Sequence, residues 1–233
     1  DYEVYNPMKD KYIYKNFSVR NTSGKIADKR SLQEKEGLKV DKDAMLIGIV
    51  SRMTNQKGFD LVAYMMEEML STMNVQFAVL GTGEEQYVDM FNYFHDKYPD
   101  KLSVFIGYSE ERAHEIYAGC DAFLMPSLFE PCGLSQLMSM RYGTLPIVRE
   151  TGGLKDTVQP YNEYEDVGTG FSFSDFNAHD MLHVIKYALD VFTNHKDRWQ
   201  EMIERAMRQD FSWNSSAREY EKLYDSCCSH LTV

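Results

Sequence analysis

The sequence predicts an α/β fold built on a mostly parallel sheet. Short apolar runs of strand length recur five times between residues 44 and 149. Between each run and the next lies a segment whose apolar residues are three and four apart, the helical period. The two loops richest in chemically useful side chains each follow one of these runs directly. In a parallel sheet that places both loops outside the carboxyl ends of the strands, where such sheets bind ligands. Together these observations give a Rossmann-like parallel sheet flanked by helices.

Residues 1–22 are polar and aromatic without a period, and Pro7 makes Asn6–Asp10 a turn. From Ser23 the pattern is helical, with Ser23 as a cap, Leu32 and Leu38 facing inward and Gly37 near the end. Asp41-Lys42-Asp43 is a charged loop. The expected strands are 44–51, 75–81, 102–108, 122–127 and 145–149; the expected helices between them are 57–70, 84–97, 110–118 and 134–142. In the helix after the first strand, Leu61, Tyr64, Met65, Glu68 and Met69 fall at helical spacing. From His179 onward the chain reads as helix in three pieces, with Ser212 and Ser216 as caps and Leu223 and Tyr224 turned inward. The division expected is an N-terminal extension with one helix over 1–43, a Rossmann-like unit over 44–195, and C-terminal helices over 196–233.

Composition narrows the function classes. The formal charge is −11, which disfavours nucleic acid and anionic membranes as partners, since both attract basic faces. No apolar run approaches the ~18 residues of a membrane span, and no signal-peptide pattern is present. The four cysteines, Cys120, Cys132, Cys227 and Cys228, are too few for a disulfide framework. A reducing, cytoplasmic setting is expected. The chain opens on Asp1 rather than Met, so we expect a piece of a longer protein. The 14 methionines fall on helix faces as core filler.

The most informative stretch is 129–158, FEPCGLSQLMSMRYGTLPIVRETGGLKDTV. Glu130 stands on a tight loop beside Pro131, Cys132 and Gly133, a helix start follows at Leu134 and Ser135, and a second turn follows at Thr151-Gly152-Gly153. Free backbone N–H groups and the dipole of a helix favour a phosphate there. Arg52 and Lys57, five apart on the loop after the first strand, bring about two positive charges to the same sheet edge; Arg forks two oxygens and Lys supplies a mobile charge. A solvated basic pair and a surface carboxylate are the plain alternatives. Cys132 lacks a neighbouring histidine to activate it and is a lining residue rather than a nucleophile. Gly81-Thr82-Gly83 lacks the third glycine of a dinucleotide fingerprint and marks a tight turn. Asp41-Lys42-Asp43 precedes a strand instead of ending one, and the His179–His183 pair has no third ligand. No metal is expected.

The same stretch closely resembles the donor-side signature of bacterial glycogen synthases and plant starch synthases. Residues 49–61, IVSRMTNQKGFDL, resemble that family's Ser-Arg-x-Thr-x-Gln-Lys-Gly segment, and NPMKDKYI (6–13) and GTGEEQY (81–87) add to the likeness. The resemblance implies the C-terminal, donor-binding lobe of a two-lobed GT-B glucosyltransferase. It implies ADP-glucose as donor substrate, no cofactor, an α-1,4-glucan acceptor, and transfer with retention. Arg52 and Lys57 would contact the donor diphosphate. Glu130 would support the sugar, one carboxylate rather than the close pair that retaining glycosidases use. Cys132, Gly133, Leu134 and Ser135 would meet phosphate and sugar hydroxyls, with Thr151, Gly152 and Gly153 as a second turn and Tyr108 near the base. The wider superfamily often has a second Glu eight residues on; Met138 stands there. The family's N-terminal lobe, with its Lys-x-Gly-Gly segment, is not in this chain, so the chain alone is expected to be inactive. A stand-alone nucleotide-sugar-binding module and another retaining GT-B transferase are the alternatives. The setting implied is cytoplasm, or plastid stroma for a plant protein.

Overall fold

The computed structural model describes residues 2–229. Six strands form its core: β1 (Met45–Val50), β2 (Val75–Gly81), β3 (Leu102–Ile106), β4 (Ala122–Met125), β5 (Leu145–Arg149) and β6 (Phe171–Phe173). All pair in parallel, in the order β3-β2-β1-β4-β5-β6. This is the doubly wound order, and its direction of winding reverses between β1 and β4. The β1, β2 and β4 side chains are almost all buried, as expected for a parallel sheet covered on both faces.

The helices are α1 (Ser23–Lys35), α2 (Phe59–Thr72), α3 (Glu85–Lys97), α4 (Glu110–Gly119), α5 (Ser135–Arg141), α6 (Gly152–Thr157), α7 (Ala178–Asn194), α8 (Lys196–Met207) and α9 (Trp213–Ser229). Contacts group α2 with α3 and α7, and α4 with α1 and α5. Methionine fills much of the core, with Met45, Met53, Met66, Met69, Met181 and Met202 all fully buried.

Several elements depart from the sequence expectation. β6 and α6 were not anticipated: Thr151-Gly152-Gly153 is the start of a short helix with Thr151 before it, not a free turn. β4 stops at Met125 because Pro126 has no N–H to give a ladder. β3 stops at Ile106, before Tyr108. Tyr64 is 71 % exposed, because the buried face of α2 runs through Leu61, Val62, Met65, Met66 and Met69. Leu223 and Tyr224 are exposed rather than inward. Asn21 caps the first amide of α1, accepting from Ser23. Ser212 caps α9, accepting from the Ser215 N–H, whereas Ser216 lies inside that helix.

Helix α1 docks through charge more than through its buried Leu32. Lys25 Nζ donates to Ala118 O (2.9 Å), Cys120 O (2.7 Å) and Thr144 Oγ1 (2.6 Å), so a buried ammonium closes the carbonyl end of α4. Lys29 Nζ reaches Ala44 O and the Asp121 carboxylate, both at 2.7 Å. The preceding segment is pinned by a buried cluster. Asp10 Oδ2 meets His114 Nδ1 at 2.6 Å and accepts from Tyr142 Oη at 2.5 Å, and Tyr5 stacks on the imidazole at 4.7 Å.

Candidate active site at the strand switch point

Where the winding reverses, the loops after β1 and β4 part and leave a cavity of about 200 Å³. Ser51, Arg52 and Lys57 border it from the β1 side. Pro126, Ser127 and Glu130 border it from the β4 side, with Gly133, Leu134 and Ser135 at the start of α5. Two loops that are 73 residues apart in sequence thus meet.

The central contact is Lys57 Nζ to Glu130 Oε2, at 2.5 Å. Their side chains are only 19 % and 10 % exposed. The same carboxylate oxygen accepts from Ser127 Oγ at 3.2 Å. Arg52 is exposed at the rim and forms no salt bridge among the described residues. The trio therefore carries one net positive charge, and the cation of Arg52 faces the opening uncompensated.

The main chain shapes the walls. A single 3-10 turn, Asn55–Lys57, delivers Lys57. It is clipped to the opposite loop by Leu128 N–H to Gln56 O (2.9 Å) and Gln56 Nε2 to Phe129 O (3.2 Å). Gly58 ends that turn at φ +77°, and a Cβ there would lie 2.0 Å from Pro126 O. Gly83 backs onto Met53 just as closely: a Cβ there would lie 2.1 Å from Met53 O. Thus Gly81-Thr82-Gly83 braces the Arg52 loop: the Glu84 N–H donates to Met53 O and the Met53 N–H to Thr82 O, both at 2.9 Å.

The structure brings together Arg52, Lys57, Glu130, Gly133, Leu134 and Ser135. It does not bring Cys132, Tyr108, Thr151, Gly152 or Gly153 to the cavity wall. Cys132 is exposed on the loop outside the cavity. Tyr108 is 88 % exposed, two residues past the end of the edge strand β3. Thr151 to Gly153 lie behind the Glu130 loop: the Gly153 N–H donates to Glu130 O and Pro131 O, each at 3.1 Å, so it is directed at the loop. Sequence reading missed Ser127, Gln56 and Gln136. Gln56 lies inside the basic segment already singled out, and Gln136 lies three residues after Gly133; their polarity beside the loop was the available signal. Among the described residues no group of three His, Cys, Asp or Glu side chains could hold a metal ion, and no helix is long and apolar enough to cross a membrane.

Residues 30–207 match the family model described as Glycosyl transferases group 1. The chain belongs to this family. It is 60 % identical over 227 residues to the glycogen synthase of Lachnospira eligens, covering 97 % of this chain and 47 % of that protein. It is 50 % identical to the glycogen synthase of Clostridioides difficile, covering 98 % of this chain and 47 % of that one. The catalytic domain of starch synthase IV from Arabidopsis thaliana, solved bound to ADP and acarbose, superposes with a TM-score of 0.88 at 31 % identity, over 98 % of this chain and 48 % of that one. The group 1 chain described here therefore spans about half the length of the relatives it matches, and its fold is that of one Rossmann-like lobe of a GT-B glycosyltransferase.

Proposed function

We propose that this chain is the donor-binding lobe of a glucosyltransferase of the glycogen and starch synthase kind. The donor is ADP-glucose, the acceptor the non-reducing end of an α-1,4-glucan, and the anomeric configuration is retained. The observation that carries the reading is the convergence of Arg52, Lys57 and Glu130 on one cavity at the switch point. The similarity to two bacterial glycogen synthases, and to a starch synthase solved with ADP, supports it.

The chemistry follows from the charges. As the bond between glucose and diphosphate breaks, negative charge grows on the leaving oxygen and positive charge on the sugar ring. Cations fixed at the first and a carboxylate fixed near the second favour the transition state over the ground state. Arg52 and Lys57 supply the cations and Glu130 the carboxylate. The Ser127 hydroxyl and Lys57 keep Glu130 oriented beforehand. The acceptor-binding groups belong to the half of the relatives' length that this chain does not cover, so the chain binds donor but does not elongate glucan on its own.

The test is calorimetric titration of the chain with ADP, UDP and ADP-glucose, beside Arg52→Ala and Glu130→Ala. ADP is expected to bind, with Arg52→Ala weakening it by about tenfold or more, the worth of a charge-assisted contact. Binding that Arg52→Ala leaves untouched would place the nucleotide elsewhere. Measurable glucan elongation by the chain alone would overturn the division of labour.

A further inference from the structure

Gln136 is fully buried at the second residue of α5, yet it is an amide. Its Nε2 donates to Gly133 O (3.1 Å) and Cys132 O (3.2 Å) and lies 3.2 Å from Thr157 Oγ1 of α6. Its Oε1 has no hydrogen-bond partner among the described residues. A buried, unpaired acceptor is destabilising, and an apolar side chain of the same length would fill the space without that cost. The amide also interlocks with Gly133, which sits at φ +68°; a Cβ there would lie 2.5 Å from Oε1.

The effect is on the loop that bears Glu130. The carbonyls of Glu130 and Pro131 accept from the Gly153 N–H, and those of Cys132 and Gly133 accept from Gln136. Every carbonyl from 130 to 133 is therefore held from behind, while Lys57 and Ser127 hold the carboxylate from the front. Among the described residues, the contacts to these four carbonyls come from the Gly153 main chain and from one side chain, Gln136, which spans the loop, α5 and α6 at once. We propose that Gln136 is a positioning residue for donor binding: it touches neither donor nor reacting atoms, and acts by fixing the main chain at Cys132 and Gly133 so that Glu130 stands where the sugar needs it. This rests on the donor-lobe reading above.

The test uses the 233-residue chain with Cys227→Ser and Cys228→Ser, so that the exposed Cys132 reports beside the buried Cys120. Gln136→Met keeps length and bulk and removes the donors; Gln136→Glu keeps shape but sets carboxylate oxygens against the loop carbonyls. Both are read well below their thermal transitions by two probes: the ADP dissociation constant, and the rate at which an aromatic disulfide reagent modifies Cys132. The expected result is that both variants bind ADP about tenfold more weakly, the worth of one hydrogen bond, and that Cys132 reacts severalfold faster as its loop loosens. A space-filling role predicts wild-type affinity and wild-type thiol rate from Gln136→Met, and that result overturns the proposal. If the unsubstituted chain binds no ADP, the donor reading fails by itself and the thiol rate alone decides whether the clamp exists. If neither Gln136 variant folds, Thr157→Val, which removes one anchor of the amide, must shift both probes in the same direction; no shift overturns the proposal.

Discussion

Replacing Lys57 with Met should destabilise the protein, and the loss should be smaller when Glu130 is already Gln. The two charges meet at 2.5 Å with side chains 19 % and 10 % exposed. Unit charges with centres some 4 Å apart attract by about 4 kcal/mol at the effective dielectric of about 20 that suits such sites. Fully exposed pairs return only about 0.2–1 kcal/mol, whereas removing one partner of a buried pair costs about 3–5 kcal/mol. This pair is mostly hidden but opens on a cavity, and Ser127 Oγ continues to donate to Glu130 after Lys57 is gone. A coupling of about 2–3 kcal/mol is therefore expected, equivalent to about 5–10 °C in Tm for a domain of this size. Urea denaturation of wild type, Lys57→Met, Glu130→Gln and the double variant measures it, with the buried Trp199 as one fluorescent reporter of the core. Additive losses, within the ~0.5 kcal/mol error of such a cycle, would refute the view that the two side chains hold each other in the free protein. The double variant should also retain the fold while losing ADP affinity, which separates the pair's part in stability from its part in binding.

Other outcomes follow from the same geometry. Gly58→Ala should destabilise by about 3 kcal/mol or more, because a Cβ would meet Pro126 O at 2.0 Å. Gly37→Ala, at a similar φ of +72° with nothing within 4 Å, should cost only about 1 kcal/mol; equal losses for the two would show that the clash is relieved. The Asp28 carboxyl is pushed up to about 6 by burial, so between pH 4 and 6 the folded protein holds a proton that the unfolded chain releases. Its contribution to stability falls as pH rises through that window. Asp28→Asn should flatten this part of the stability profile and add about 1 kcal/mol at pH 7, measured by thermal melts across pH; an unchanged profile would refute it. Raising salt from 50 to 500 mM should weaken ADP binding to wild type more than to Arg52→Ala, since Arg52 lies exposed at the rim.

Much of this architecture was legible because parallel strands buried on both faces are continuous apolar runs. MLIGIV and VQFAVLG could hardly be anything else, and both were placed within a residue of β1 and β2. β6 has three residues, too few to display a period. α6 begins with two glycines, which read as a turn on any propensity scale and form helix here because the loop behind Glu130 packs directly on them. Tyr64 shares the spacing of Leu61, Met65 and Met69 yet is exposed, because the buried face of α2 widens from those three toward Val62 and Met66 and away from Tyr64. The meeting of Arg52 with Glu130 needed only the rule that ligands gather at strand carboxyl ends. The strand order that makes their loops neighbours is a tertiary fact. The Asp10–His114–Tyr142 cluster, with partners 104 and 132 residues apart in sequence, left no local trace. The anchors Lys25 and Lys29 carried no signal in the sequence, since lysine is almost always a surface residue and only the fold sets these two ammonium groups among carbonyl oxygens.

The close backbone approaches around Gly58, Gly83 and Gly153 have a consequence for anyone who would re-engineer the pocket. Its frame is backbone against backbone, which few substitutions elsewhere can alter, whereas Leu134 projects 63 % exposed from the cavity's edge. Diversity in a directed-evolution library would be tolerated at that position and wasted at the glycines. A search for altered ligand preference at this cavity therefore has a rigid mould to work against and a small, permissive surface to vary.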